Sequence, residues 1–212
     1  DPGLAACIAA LVDAELIQPQ ATSRLGNDLE YLFRHALVRD AAYGLLTAED
    51  LATGHRLAAE FLVRAGDGDV AVIAEHFERS GDKDSAVTWY VRAAEDAHGR
   101  GNFPGVQRHI ENGVRCGAAG PRLGVLRSIE SRISVFLNRY ESIEESAAVA
   151  LATLKPGSHY WLRALLSAFL CELRRPASPR SLELATLLLD TQPDAAAYMT
   201  YCDSLSVVSM TL

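Results

Sequence analysis

"GDKDSAVTWYVRAA" (residues 81–94), "GNFPGVQRHIENGV" (101–114) and "NRYESIEESAAVAL" (138–151) superimpose without a gap, and their shared spacing decides the fold. Each opens on a turn residue. Each then carries an apolar residue five positions on (Ala86, Val106, Ile143), an aromatic, aliphatic or small one four later (Tyr90, Ile110, Ala147), and a small one three after that (Ala93, Gly113, Ala150). Steps of four and three return to one face of an α-helix, and a small residue closing that stripe lets a neighbouring helix approach. The pattern predicts helices that pack in pairs along one face.

The alternation of helical stretch and breaker continues outward from these segments. Helices are predicted at 84–99, ended by "GRGN", and at 103–116, ended by "GAAGP". Further helices follow at 122–138, at 141–154 before "KPGS", at 159–173 before "RRPASP", at 180–191 before "TQPD", and from about 194 onward. Upstream, 34–46, 48–65 and 70–80 read as helices broken by "AGDGD" and "SGDKD". Thr47 is the expected N-cap of the second of these, with Asp50 three residues on. Connections of two to six residues place successive helices antiparallel, as in bundles and helical-hairpin solenoids, and the hairpin frame is 84–116, 122–154 and 159–191. Before Arg34 the reading changes. "LAACIAALVDAEL" (4–16) puts Leu4, Ile8, Leu11 and Val12 on one helical stripe. Ile17 to Ala21 and Leu29 to Phe33 are short β-prone runs around a polar turn at Gly26-Asn27-Asp28, a hairpin signal in which Pro19 marks an edge strand. The fold class expected is therefore mostly α, an antiparallel helical-hairpin array preceded by one short β-hairpin.

Composition narrows the function classes. The chain has 212 residues, 49% hydrophobic and 22% charged, with few aromatics, a balance that suits a globular helical protein. Its net charge of −7 works against phosphate-backbone binding. Cys7, Cys116, Cys171 and Cys202 are scattered without a CxxC, so neither a disulfide framework nor a zinc site is expected. No apolar run reaches the ~20 residues that span a bilayer, no signal peptide is legible, and a cytoplasmic location is the simplest reading. Both ends read as cuts through something longer. Leu205, Val207, Val208 and Met210 are expected to form a sticky apolar face there, with self-association as its consequence.

"YLFRHALVRDAAYGLL" (31–46), followed by "GHRLAAEFL" and "AVIAEHFERSGDKDSAVTWYVRAAEDA", resembles the region after the nucleotide-binding module of bacterial multidomain signal-transduction ATPases. The helical stripe at 81–94, 101–114 and 138–151 is itself similar to the second helix of the tetratricopeptide repeat. The resemblance covers most of residues 1–155. It implies a winged helix followed by tetratricopeptide-like repeats, in a parent often fused to a Ser/Thr protein kinase, adenylate cyclase or transcription-factor domain. On that basis residues 1–46 would be the end of a winged helix with its joint helix, and 47–212 the helical array. The family's ATP chemistry has no carrier here, because no GxxxxGK[ST] loop exists and neither Lys83 nor Lys155 follows a glycine-rich turn. Kinase signatures are missing as well.

Two groups of residues remain as candidates. Phe33, Arg34, His35, Leu37, Arg39 and Asp40 form the sharpest polar cluster. Arg34 and Arg39 are five residues apart and fall on different helix faces, so they cannot make one clamp. The segment is expected to be a structural joint, with Phe33 and Leu37 buried, His35 resting on a backbone carbonyl, and Arg39 and Asp40 paired or solvated. The second group, Glu95, His98, Ser128 and Arg132, faces the inner curve of the array, where helical solenoids hold peptides or other domains. No catalytic, cofactor or metal site is expected, since the other histidines lack ligand spacing and no serine sits in GxSxG. The function expected is a non-catalytic regulatory or scaffolding segment that binds a protein, a peptide or other domains of its own chain. The alternative is part of a transcriptional regulator whose winged helix touches DNA. "LAACIAALVDAEL" offers no base-reading side chain, and Arg24 is the single basic residue before Arg34, so nucleic acid is not expected as a partner.

Overall fold

The computed structural model describes residues 2–21, 29–66, 69–175 and 178–211, and it divides into two units, Asp1–Asp82 and Lys83–Leu212. The first unit opens with α1 (Pro2–Asp13), then pairs β1 (Ile17–Pro19) with β2 (Tyr31–Phe33) as an antiparallel hairpin in the register Ile17↔Phe33, Gln18↔Leu32 and Pro19↔Tyr31. The turn read at Gly26-Asn27-Asp28, like Arg24, lies outside the described residues. There follow α2 (Ala36–Gly44), α3 (Ala48–Ala65) and α4 (Val70–Ser80). The sequence puts a domain boundary after Leu46; α3 and α4 fall in the first unit.

Local chemistry sets the ends of α3 and α4. The Asp50 N–H donates to Thr47 Oγ1 at 3.1 Å, and Asp50 Oδ2 accepts from the Thr47 N–H at 3.2 Å and its hydroxyl at 2.6 Å. These two residues close a capping box over the first turn. Gly66 stops α3 at φ +72° and Gly81 stops α4 at φ +83°, left-handed positions that favour glycine. Asp69 caps α4 by accepting from the Ala71 N–H at 2.8 Å. The two helices pack through Ala59, Ile73, Ala74 and Phe77.

The burial expected for Phe33 and Leu37 is overturned: they are 42% and 83% exposed, and no residue of α2 is buried. Within its unit α2 packs on β2, a three-residue strand too short to cover a helix face. Periodicity made a stripe; it supplied no partner.

The second unit is a run of helical hairpins. It contains α5 (Lys83–Gly99), α6 (Phe103–Arg115), α7 (Gly120–Phe136), α8 (Tyr140–Thr153), α9 (His159–Glu172) and α10 (Pro179–Asp190), then a 3-10 turn (Ala195–Ala197) and α11 (Tyr198–Thr211). α5 pairs with α6, α7 with α8 and α9 with α10, while α7 also packs on α5 and α9, and α11 on α9. The first two pairs follow the hairpin frame read from the sequence, while α9 packs on α8 as well as on α10. All nine stripe residues of the three aligned segments are buried. At Gly113 a Cβ would lie 2.9 Å from Leu126 Cδ1 and 3.5 Å from Tyr90 Cβ, which is why the stripe ends on a small residue. One apolar cluster joins Val106, Ile110, Leu126, Ile129 and Ile133; another joins Trp161, Leu162, Leu165, Phe169, Leu184 and Leu188. Of the four C-terminal residues expected to form a sticky face, Val208 is buried and Leu205 packs against the same cluster, because α11 turns that face to α9. Met210 is exposed. No helix among the described residues is long and apolar enough to cross a membrane.

Candidate functional site

Alternate helices of the second unit, α5, α7 and α9, are the first members of successive hairpins and so run in the same direction, with α11 beyond them. Side chains on this side are tied across helices by hydrogen bonds. The Tyr160 hydroxyl on α9 donates to Glu95 Oε1 on α5 at 2.5 Å. Ser128 Oγ on α7 donates to the Tyr160 carbonyl at 2.7 Å. Burial and then the Glu95 carboxylate hold the Tyr160 phenol far above its ordinary pKa, so it remains a donor. Glu95, Ser128 and Tyr160 thus form one satisfied polar layer.

One helical turn further on, each helix contributes another polar residue: His98 three after Glu95, Arg132 four after Ser128, and Arg163 three after Tyr160. Helix geometry puts these at a common level. Two buried atoms of this second layer lack hydrogen bonds, and the Arg132 guanidinium lies over the Phe136 ring at 5.8 Å. His98 Nδ1 and Arg132 Nε are buried and accept or donate no hydrogen bond within the protein. Neither Arg132 nor Arg163 forms an ion pair among the described residues. His159 flanks the layer, bonded through Nδ1 to Thr200 Oγ1 of α11 at 2.7 Å, with the Tyr160 ring edge-on at 4.9 Å. Asp203 of α11 and Glu95 are the opposing carboxylates.

The electrostatics follow from that arrangement. Burial first, then the charge of Arg163, pulls Arg132 below the ordinary arginine value, against the opposite effect of Asp203. A guanidinium does not lose its proton under such a shift; its charge is simply short of a counter-anion. His98 and His159 are held below the usual histidine value by burial, then by Arg163 and Arg132, with Glu95 opposing at His159. At neutral pH both rings are neutral, beside two unneutralised cations.

A cleft of about 290 Å³ lies between α5 and α7 on the same side, with Val91 and Val125 as apolar lining and Arg92, Glu95 and Arg122 among its polar residues. Arg122 is anchored there by the Asp84 carboxylate and by Thr88 Oγ1 at 3.2 Å. A larger cleft of about 500 Å³ opens beside α6, lined by Phe103, Gln107, Ile133 and Leu137 among others. Its volume is greater, but His98 Nδ1 and Arg132 Nε, two buried atoms without hydrogen-bond partners, belong to α5 and α7, and chemistry outranks volume as a guide to a site.

The structure links Glu95 and Ser128 through Tyr160 and places His98 near Arg132. Sequence reasoning missed His159, Tyr160 and Arg163, which supply the third helix. The signal was present in "HYWLR" (159–163), where polar positions flank the buried Trp161 and Leu162. In the first unit, Arg34 pairs with Glu15 at 2.8 Å and Arg39 with Asp40 at 2.8 Å, both exposed. His35 is exposed rather than seated on a carbonyl; its own carbonyl accepts from the Val38 and Arg39 N–H groups at 3.1 and 3.2 Å. Histidine spacing also hid one pair: His55 and His76 meet across α3 and α4 with their Nδ1 atoms 2.9 Å apart. No group of three or more His, Cys, Asp or Glu among the described residues is arranged to hold a metal ion.

Comparison with protein-family models, with curated proteins and with solved structures returned no match to this chain.

Proposed function

We propose that this chain is a non-catalytic interaction segment, and that its second unit holds a stretch of another protein, or of another domain of its own protein, along the α5–α7–α9–α11 side. The observation that supports this most directly is the second polar layer, in which His98 Nδ1 and Arg132 Nε are buried without partners. Buried polar groups are ordinarily satisfied, and an orphaned pair is explained by an occupant that completes its bonds. The neighbouring cleft, with Val91 and Val125 beside Arg92 and Arg122, suits an extended peptide carrying an apolar side chain next to acidic ones. The setting is supplied by the sequence resemblance: a regulatory or scaffolding arm of a bacterial multidomain signalling ATPase, with any kinase or cyclase output elsewhere in the parent.

Site-directed photo-crosslinking in the full chain tests the docking side. A photoreactive residue at Arg92 or Asp203 is expected to capture a partner, whereas the same residue at Glu111 on α6 or Glu145 on α8 is not. Equal capture from all four positions, or none from the first two, overturns the reading.

A further inference from the structure

We propose that the His98–Arg132–Arg163 layer, with His159 beside it, is a binding site for a doubly charged phosphate group, presented as a phosphorylated side chain of the segment held there. The identity of the carrier rests on the docking reading above; the anion site itself does not. Three parallel helices each deliver one nitrogen-bearing side chain to the same level, one turn beyond the hydrogen-bonded Glu95–Tyr160–Ser128 layer. Arg132 Nε and His98 Nδ1 are buried there without partners, and neither arginine is neutralised by a carboxylate among the described residues. A donor set of two guanidinium forks and two imidazoles spread over three helices surrounds a tetrahedral group with several oxygens better than a planar carboxylate, which one guanidinium satisfies in bidentate fashion. Two fixed positive charges match a dianion.

The charged and titratable groups facing the layer come from every helix around it: Glu95 and His98 from α5, Arg132 from α7, His159, Tyr160 and Arg163 from α9, and Asp203 from α11. The carboxylates oppose an incoming anion. Tyr160 occupies Glu95 by hydrogen bond, and Asp203 stands at the exposed edge. Burial and then the two arginines hold both histidines neutral in the free protein, and an arriving dianion offsets the arginines' share. Binding therefore takes up protons on the protein, and affinity for an anion of fixed charge rises as pH falls from about 8 to about 6, while protonation of a phosphate ligand works the other way.

Calorimetry on the full chain with inorganic phosphate, sulfate and acetate tests this. Sulfate keeps its charge across that pH range, so its pH dependence reports the protein's titration alone. Phosphate and sulfate are expected to bind, acetate far more weakly, and sulfate more tightly at the lower pH. Arg132→Gln and Arg163→Gln are each expected to weaken phosphate binding roughly tenfold or more. In the unmodified chain, the imidazole resonances of His98 and His159 should move to higher pKa when phosphate is added, a readout that needs no variant. Absence of phosphate binding, or histidine titrations unchanged by phosphate, overturns the site. Degenerate peptide pools with phosphoserine, serine or glutamate fixed at the centre then separate the two claims. Preference for the phosphoserine pool supports both. Equal binding of all pools leaves docking intact and overturns the phosphate site, while phosphate binding without capture of any pool overturns docking and assigns the site to a small phosphorylated compound.

Discussion

Gly157 shows how much one residue can decide. It sits at φ +79° in the "KPGS" turn between α8 and α9, where its carbonyl accepts from the Asp194 N–H at 3.0 Å. A Cβ there would lie 2.2 Å from the Gln192 carbonyl oxygen, a backbone atom with no room to yield. Lys155 Nζ contacts Asp194 Oδ1 at 2.5 Å, so this turn and the one after α10 are fastened together. Gly157→Ala carries both the left-handed backbone cost and the collision, and is expected to destabilise the second unit by about 2–4 kcal/mol. Gly54 is the counter-case: it lies inside α3 with nothing within 4 Å of its Cβ position. Gly54→Ala should stabilise by about 0.5–1 kcal/mol through helix propensity. Urea unfolding of both variants reads the two opposite signs. In the sequence both are glycines near or within predicted helices. What separates them is Gln192, which no local pattern connects to Gly157.

Helix boundaries were legible at the level of elements because the chemistry that sets them is local. Thr47 with Asp50, Asp69, Gly66 and Gly81 write the limits of α3 and α4 directly into the chain, and the stripe Ala86–Tyr90–Ala93 writes the packing face of α5. Whether a face is covered is a non-local matter, and there the reading of α2 failed. Leu37 occupies a good stripe position and is 83% exposed. Leu37→Ala is accordingly expected to change stability by less than about 0.5 kcal/mol, the range of a surface substitution. Ile73→Ala on α4, 2% exposed in the bare structure, should cost about 2–5 kcal/mol. Thermal or denaturant melts of the two variants distinguish a buried joint from an exposed one; a multi-kilocalorie loss from Leu37→Ala would contradict the exposed position. The candidate site divides along the same line. Glu95, His98, Ser128 and Arg132 follow from the hairpin frame, which periodicity supplies. Tyr160 and Arg163 belong to it only because α9 lies against α7 and α5, and that neighbour relation is a product of the folded array.

Across the whole molecule, the histidines set a common direction of pH response, since each unit contains a pair held neutral. His55 and His76 in the first unit, and His98 and His159 in the second, all lie below the ordinary histidine pKa, with burial the largest cause in each. The other lowering contributions are cationic neighbours, chiefly Arg79 and His55 in the first unit and Arg163 and Arg132 in the second, with Glu75 opposing at His76 and Glu95 at His159. The unfolded chain binds these protons near pH ~6.5 and the folded chain only at lower pH, so acid favours unfolding. Stability from these groups is complete above about pH 7 and is lost as pH falls through 6.5 toward their lowered folded values. The His55–His76 contact adds to the effect, because one Nδ1 must donate and the other accept, and double protonation leaves two donors face to face at 2.9 Å. Asp50 and Asp84 are lowered carboxylates whose contribution disappears only below pH ~4, outside this window. Both tryptophans, Trp89 and Trp161, belong to the second unit, so fluorescence follows that unit while far-UV circular dichroism follows the helices of both. Midpoints from both signals should be level between about pH 8 and 7 and fall toward pH 5. His98→Gln should flatten the fluorescence-detected fall and leave the first unit's share intact. His55→Asn should act on the dichroism alone. Added phosphate should counter the acid loss in fluorescence and in the second unit's share of the dichroism, and leave the first unit's share unchanged, since the proposed anion layer lies among α5, α7 and α9. Midpoints independent of pH down to 5 would mean that these histidines are no less protonated in the folded chain than in the unfolded one, and would remove the electrostatic basis for reading the second layer as a site short of an anion.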